Sequence, residues 1–263
     1  MARLDKDKYI IFLDVDSTVF DGHGVHERTV NALRRARREG HLVFLNTGRA
    51  HCILFDEFMG PVSPDGVVGS MGTGISVGDR MIYSVGMSRE DVAFLMRFGE
   101  TRGLRTLAES VERLVLMNIP EPLYGQDHFV RTTEEFFEKY PDMLVSKVSY
   151  MQRMEQKHVD ELRERFPTSV YVHSKYTEIP ATGCNKATAI ARVCEHFGVG
   201  VEQTIAIGDS GNDDDMIKFA GIGVAMGNAT EEIKSIADFI TTDCREGGVG
   251  YAIEKLIFEG KKP

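Results

Sequence analysis

Five residues, Asp14-Val15-Asp16-Ser17-Thr18, follow directly on the apolar run Tyr9 to Leu13. Two carboxylates at i and i+2 off a strand end can share one site if the backbone turns there. Like charges this close resist joint ionisation unless a cation lies between them. A hard dication with oxygen ligands, Mg2+ above all, relieves the repulsion. A second carboxylate cluster, Asp209-Ser210-Gly211-Asn212-Asp213-Asp214-Asp215, follows the short apolar run Thr204 to Ile207 and Gly208. Acidic capping of the next helix accounts for Asp213 to Asp215. Two independent clusters at strand ends of one sheet nevertheless favour a shared metal site over capping alone.

A third run, Leu42 to Leu45, ends in Asn46-Thr47-Gly48-Arg49. A hydroxyl, exposed amides and a guanidinium at a strand end suit phosphate oxygens. Taken alone, the same four residues also make an ordinary strand-to-helix turn. Lys186 opens a helix after Gly183 and Cys184. A cation there opposes the helix dipole, and such a local conflict hints at function.

These residues need elements to hold them. Tyr9 to Leu13 reads as a buried, parallel-type strand, residues 26 to 39 as a helix stopped by Gly40, and Leu42 to Leu45 as a second buried strand. Strand, helix, strand implies a parallel α/β sheet. The rhythm returns late in the chain. Helices are expected over Asn185 to Phe197, Asp213 to Ala220, Glu231 to Ala237 and Val249 to Phe258, with strands at Thr204 to Ile207, Ile222 to Ala225 and Phe239 to Thr241. Between them, two helices and longer, more exposed strands are expected. Ser88 with Asp91 starts the first helix, residues 155 to 166 form the second, and Val170 to Val172 with Tyr176 to Ile179 read as a hairpin. The fold class is therefore α/β: a Rossmann-like parallel-sheet core, residues 1–79 and 183–263, interrupted by an inserted α+β domain over 80–182.

Composition narrows the partners. The chain has 263 residues, 42% hydrophobic and 27% charged, which is ordinary for a globular protein. Its net charge of −9 disfavours nucleic acid and anionic membrane surfaces. It does not disfavour one phosphorylated small molecule held by a metal, a lysine and a few amides. The charged start, Met1 to Lys8, predicts no secretory leader. Cys52, Cys184, Cys194 and Cys244 form no CxxC pair and read as reduced thiols of a cytoplasmic protein.

In this order, D-V-D-S-T, N-T-G-R, an insert, Lys186 and G-D-S-G-N-D-D-D-M resemble the haloacid dehalogenase superfamily of phosphohydrolases. The tail Gly223 to Ala229 and Asp243 to Gly248 looks like its Cof-type, sugar-phosphatase-like branch with a large α/β cap. The resemblance implies a Mg2+-dependent phosphatase that hydrolyses a phosphomonoester of a small metabolite, such as a sugar phosphate, through an aspartyl-phosphate. Asp14 would be the nucleophile, and Asp16 the general acid and then the base. Thr18 would support their loop. Thr47, Gly48, Arg49 and Lys186 would bind the phosphoryl group. Asp14, the Asp16 main-chain carbonyl and Asp209 would hold Mg2+, with Asn212 and Asp213 supporting metal and phosphate from behind. Two positions depart from the family pattern. Ser17 stands where Gly is usual, and Ser70-Met71-Gly72 where many members carry Asn-Gly, so a polar substrate contact at Met71 is not expected.

Four other readings stand beside this one. A phosphomutase, or a specialised phosphatase for a phosphorylated glyceric or sugar acid, uses the same core. A receiver-like signalling module, or a non-catalytic phosphate-binding protein, is the non-enzyme reading. A receiver has no second Asp two residues after the phosphorylated one. The oligomeric state leaves no mark in the sequence.

Overall fold

The computed structural model describes residues 4–54, 56–125 and 128–261. The chain runs β1 (Ile10–Leu13), α1 (Glu27–Arg38), β2 (Leu42–Asn46), α2 (Asp56–Val62), β3 (Gly66–Gly69), β4 (Gly74–Val77) and β5 (Arg80–Ser84). It continues through α3 (Arg89–Thr101), β6 (Thr106–Glu109), β7 (Leu114–Met117), β8 (His128–Val130), α4 (Thr133–Lys139), β9 (Lys147–Tyr150), α5 (Gln156–Arg165), β10 (Tyr171–Val172) and β11 (Thr177–Pro180). It closes with α6 (Lys186–Phe197), β12 (Thr204–Gly208), α7 (Asp214–Phe219), β13 (Ile222–Ala225), α8 (Glu231–Ile236), β14 (Phe239–Ile240) and α9 (Gly248–Ile253).

The first sheet has the order β14-β13-β12-β1-β2-β3-β4-β5. Its strands from β14 to β3 are parallel, and β4 and β5 add an antiparallel edge. Ile10, Ile11, Phe12 and Leu13 are fully buried, as a central strand covered on both faces requires. The register sets Leu13 beside Leu45 on one side and Ile207 on the other. The three chemistry-bearing loops therefore leave the same edge of the sheet, where ligands bind in open α/β folds. Ala32, Leu33 and Ala36 carry α1 onto the core. The strand Arg80–Ser84 lies beyond the expected core boundary at residue 79, yet it pairs with β4 in this first sheet.

The second sheet, β10-β11-β9-β6-β7-β8, is built from the insert. The hairpin read from the sequence is present, with Tyr171 opposite Glu178. Three of the remaining strands differ from the expectation of longer, more exposed ones. β6, β7 and β9 have four residues each and are buried throughout. Alternation explains this, because successive residues point to opposite faces. Ala108, Val115, Met117, Val148 and Tyr150 pack under α3, α5 and a third helix, α4, which the sequence reading did not include. Leu107, Leu114 and Leu116 point the other way, onto Ala50 and Ile53 after β2. Both faces are therefore covered, each fully buried Leu or Val contributing roughly 1.5–3 kcal/mol.

Candidate active site

Asp14 leaves β1 with its N–H donated to the Ile207 carbonyl at 3.0 Å, so the backbone of β12 fixes where its carboxylate starts. Lys186, the first residue of α6, is completely buried. Its Nζ donates to Asp14 Oδ1 at 2.6 Å and to Asp213 Oδ1 at 2.5 Å. The helix carrying it is set by an Asn185–Thr188 capping box and by Asn46 at the end of β2, whose Nδ2 donates to the Lys186 carbonyl at 3.1 Å. Asn46 is a bracing residue to which the sequence reading gave no separate role. Burial alone would lower the Lys186 pKa, but the Asp14 and Asp213 carboxylates hold it above its usual value.

Asp213 does more than face the lysine. Its Oδ2 accepts the backbone N–H groups of Asp209 and Ser210, both at 3.0 Å. It thereby folds the loop after β12 and aims Asp209. Thr18 holds Asp209 from the other side, its Oγ1 donating to Asp209 Oδ1 at 3.0 Å. Burial pushes the Asp209 carboxyl up to about 7, and the neighbouring Asp213 adds to the rise. Burial likewise raises Asp14, the negative charges of Asp213 and Asp209 adding to it against Lys186.

Asp14, Asp209 and Asp213 could hold a metal ion, since one carboxylate oxygen from each lies within 4.8 Å of the others. Three hard carboxylates face one ammonium, and the negative surplus is what a dication would balance. The Asp16 side chain points elsewhere. It forms a two-pronged pair with Arg49, at 2.6 Å to Nη2 and 2.9 Å to Nε. Asn212 sits at the cavity wall, its Oδ1 accepting from Ser210 Oγ at 2.9 Å. Thr47 Oγ1 accepts the Arg49 N–H at 3.1 Å, which curls the loop after β2.

Asp14, Asp16, Thr47, Arg49 and Asn212 open into one cavity of about 340 Å3, while Lys186 and Asp213 lie buried behind it and Asp209 borders a separate recess with Ser17 and Asn228. Asp14, Asp16, Thr47, Gly48, Arg49 and Asn212 form one side; Leu107, Glu109, Lys147, Ser149, Tyr176 and Glu178 of the insert form the other. The insert's side was not found from the sequence. Lys147 crosses between the two, its Nζ donating to the Gly48 carbonyl at 2.6 Å.

The two departures have structural counterparts. Ser17 adopts φ 62, the left-handed region where a glycine is unstrained. Asn228 braces it, its Nδ2 donating to the Ser17 carbonyl at 2.9 Å while its Oδ1 accepts the Cys244 N–H at 2.8 Å. Met71 is also left-handed, at φ 59, and is fully buried. Its N–H donates to the Thr47 carbonyl at 3.1 Å, and its side chain does not line the cavity.

The family model described as haloacid dehalogenase-like hydrolase matches residues 11–253. The chain is 28% identical to the 5-amino-6-(5-phospho-D-ribitylamino)uracil phosphatase YcsE of Bacillus subtilis, over 98% of this chain and 99% of that one. It is 27% identical to the phosphatase YwpJ of the same organism, over 94% and 99%. Its structure resembles that of the HAD subclass IIB sugar phosphatase BT4131, with a TM-score of 0.82, 26% identity and coverage of 94% and 98%. No helix among the described residues is long and apolar enough to cross a membrane.

Proposed function

The chain belongs to the haloacid dehalogenase-like hydrolases as a phosphatase of their Cof type, and we propose from its site that it is a Mg2+-dependent phosphomonoesterase working through an aspartyl-phosphate. The observation that carries the proposal is the buried Asp14–Lys186–Asp213 arrangement with Asp209 beside it. A carboxylate is repelled by a phosphate dianion, so a nucleophilic Asp14 needs positive charge on both itself and its target. Lys186 supplies one such charge. Mg2+, held by Asp14, the Asp16 carbonyl and Asp209 with Asp213 and Asn212 behind them, would supply the rest by neutralising phosphoryl oxygens.

Asp14 attacks phosphorus; the ester oxygen leaves and takes a proton from Asp16. Asp16 then accepts a proton from the water that attacks the aspartyl-phosphate, releasing phosphate and restoring Asp14. Asp16 meets the cavity with Arg49 as its partner, so substrate entry exchanges that partner for the leaving oxygen. Thr47, the Gly48 amide and Arg49 offer donors to phosphate oxygens. The insert, whose second sheet lies over the cavity, serves as a cap that excludes water and reads the leaving group. The substrate is a small phosphorylated metabolite, and the compartment is the cytosol.

The test is phosphate release from p-nitrophenyl phosphate and a panel of sugar and polyol phosphates, with Mg2+ and with chelator. Mg2+-dependent release supports the proposal. No release from any ester, or release undiminished in chelator, contradicts it.

A further inference from the structure

The cap side of the cavity has a charge balance that bears on which phosphate esters fit. Lys147 is completely buried in its side chain apart from a 3% remnant and sits among three acceptors. They are Glu178 Oε1, the Gly48 carbonyl at 2.6 Å and Glu109 Oε1 at 3.3 Å. Three ammonium protons thus meet three acceptors. Glu109 and Lys147 are cross-strand partners of β6 and β9, so the backbone register fixes this pairing. Glu109 Oε1 also takes the Ser149 hydroxyl at 2.5 Å, and Glu178 Oε2 lies 3.1 Å from His173 Nε2.

Across the cavity, Arg49 is engaged by both oxygens of Asp16. Both cations lining the cavity, Arg49 and Lys147, are therefore already in contact with carboxylates. Away from the transfer end, Glu109 and Glu178 face Lys147, with His173 against Glu178, so that wall sets two carboxyl groups against one permanent cation. Tyr124 and Tyr176 add neutral hydroxyls, and Leu107, Ile53 and Met151 add apolar surface.

A leaving group with its own phosphate or carboxylate meets Arg49 already committed to the transferring phosphoryl group and would have to take Lys147 from its buried pair with Glu178. Breaking a buried charged pair costs heavily, because the abandoned carboxylate stays buried. A hydroxyl-bearing leaving group instead donates to carboxylate oxygens already fixed in place. We propose that Glu109, set against the Lys147–Glu178 pair, is a specificity-determining residue that admits neutral, hydroxyl-rich leaving groups and rejects those carrying a second negative charge. This rests on the phosphatase reading and separates the sugar or polyol phosphates from the phosphorylated sugar acids, which the core residues alone do not distinguish.

The test measures sorbitol 6-phosphate and 6-phosphogluconate, two six-carbon esters differing in one carboxylate, as competitors of p-nitrophenyl phosphate hydrolysis. The polyol should compete about tenfold better or more. Glu109→Gln, which keeps the shape and removes the charge, should narrow that ratio about fivefold. A merely structural role for Glu109 would weaken both competitors together and leave the ratio in place, which overturns the inference. The inference also fails if the wild-type protein takes the acid as well as the polyol, or if neither competes. A protein that does not hydrolyse p-nitrophenyl phosphate at all contradicts the phosphatase reading instead.

Discussion

Lys186 and Asp14 lie 172 residues apart in the chain and 2.6 Å apart in the fold. Neither side chain tolerates this depth alone. An isolated buried ammonium or carboxylate would shed its charge; here Asp14 and Asp213 each accept a hydrogen bond from Lys186 and keep its ammonium charged. The same contact puts the cation where it can offset repulsion between Asp14 and an incoming phosphate.

Replacing Lys186 by methionine should therefore be felt twice. Phosphatase activity should fall by about two to three orders of magnitude, the scale of losing one strong electrostatic donor. The variant should also lose about 3 kcal/mol of stability in chelator, because Asp14 and Asp213 are left facing each other without their cation. Thermal melts with and without Mg2+ check this. A variant that melts like the parent in chelator contradicts the charge account.

Thr18 touches no proposed reacting atom, but it holds Asp209 by a 3.0 Å hydrogen bond. Thr18→Val should raise the Mg2+ concentration needed for half-maximal activity about tenfold or more, as losses behind a metal ligand do. Saturating Mg2+ should restore most of the rate. A fall in maximal rate with unchanged Mg2+ dependence would remove Thr18 from the metal's support.

Ser17 occupies a left-handed conformation, φ 62, that costs a side-chain-bearing residue about 1–2 kcal/mol. Glycine relieves that strain and loses part of the gain to the freedom of the unfolded chain. Ser17→Gly should stabilise the protein by about 0.5 kcal/mol, read from denaturant midpoints at equal slope. Destabilisation of that size would mean that the hydroxyl makes a contact worth more than the strain.

Asp209 ties stability to pH. Its carboxyl is pushed up to about 7 in the folded chain, against about 3.9 in the unfolded one. Between those values the folded state holds a proton that the unfolded state has lost, so without metal the stability falls as pH rises through that window. Mg2+ binds the ionised form and should counteract the fall. The melting-temperature rise on adding Mg2+ should grow steadily from pH 5 to pH 8. An equal rise at both ends would contradict the assignment of Asp209 to the metal.

How far the sequence reaches is visible in these same residues. Asp14, Asp209 and the loop after β2 were legible because each ends a run of apolar residues, and such a run can only be a buried strand. Lys186 stood out by opposing its own helix dipole. Glu109, Lys147 and Glu178 gave no such signal. Charged residues at intervals in a strand read as a solvated face, whereas here they point into the cavity and satisfy one another across the sheet register. The edge strand Arg80–Ser84 falls within the expected insert for a similar reason. Its polar ends look like a linker, and only its pairing with β4 assigns it to the first sheet. The left-handed turn at Ser17 shows only in the backbone, although the family's preference for glycine there pointed to it.

Asp14 carries the phosphoryl group in this mechanism, and the intact mass of an acid-quenched reaction would show it there. An aryl phosphate has a good leaving group and needs little help from Asp16 to transfer. Asp16→Asn should therefore still be phosphorylated with Mg2+ and then release phosphate slowly, having lost the base for water. This variant should gain the mass of one phosphoryl group on the peptide containing Asp14, and gain none in chelator or when Asp14 is also changed to Asn. Continued Mg2+-dependent turnover with no such adduct, or an adduct on another residue, would contradict that role for Asp14.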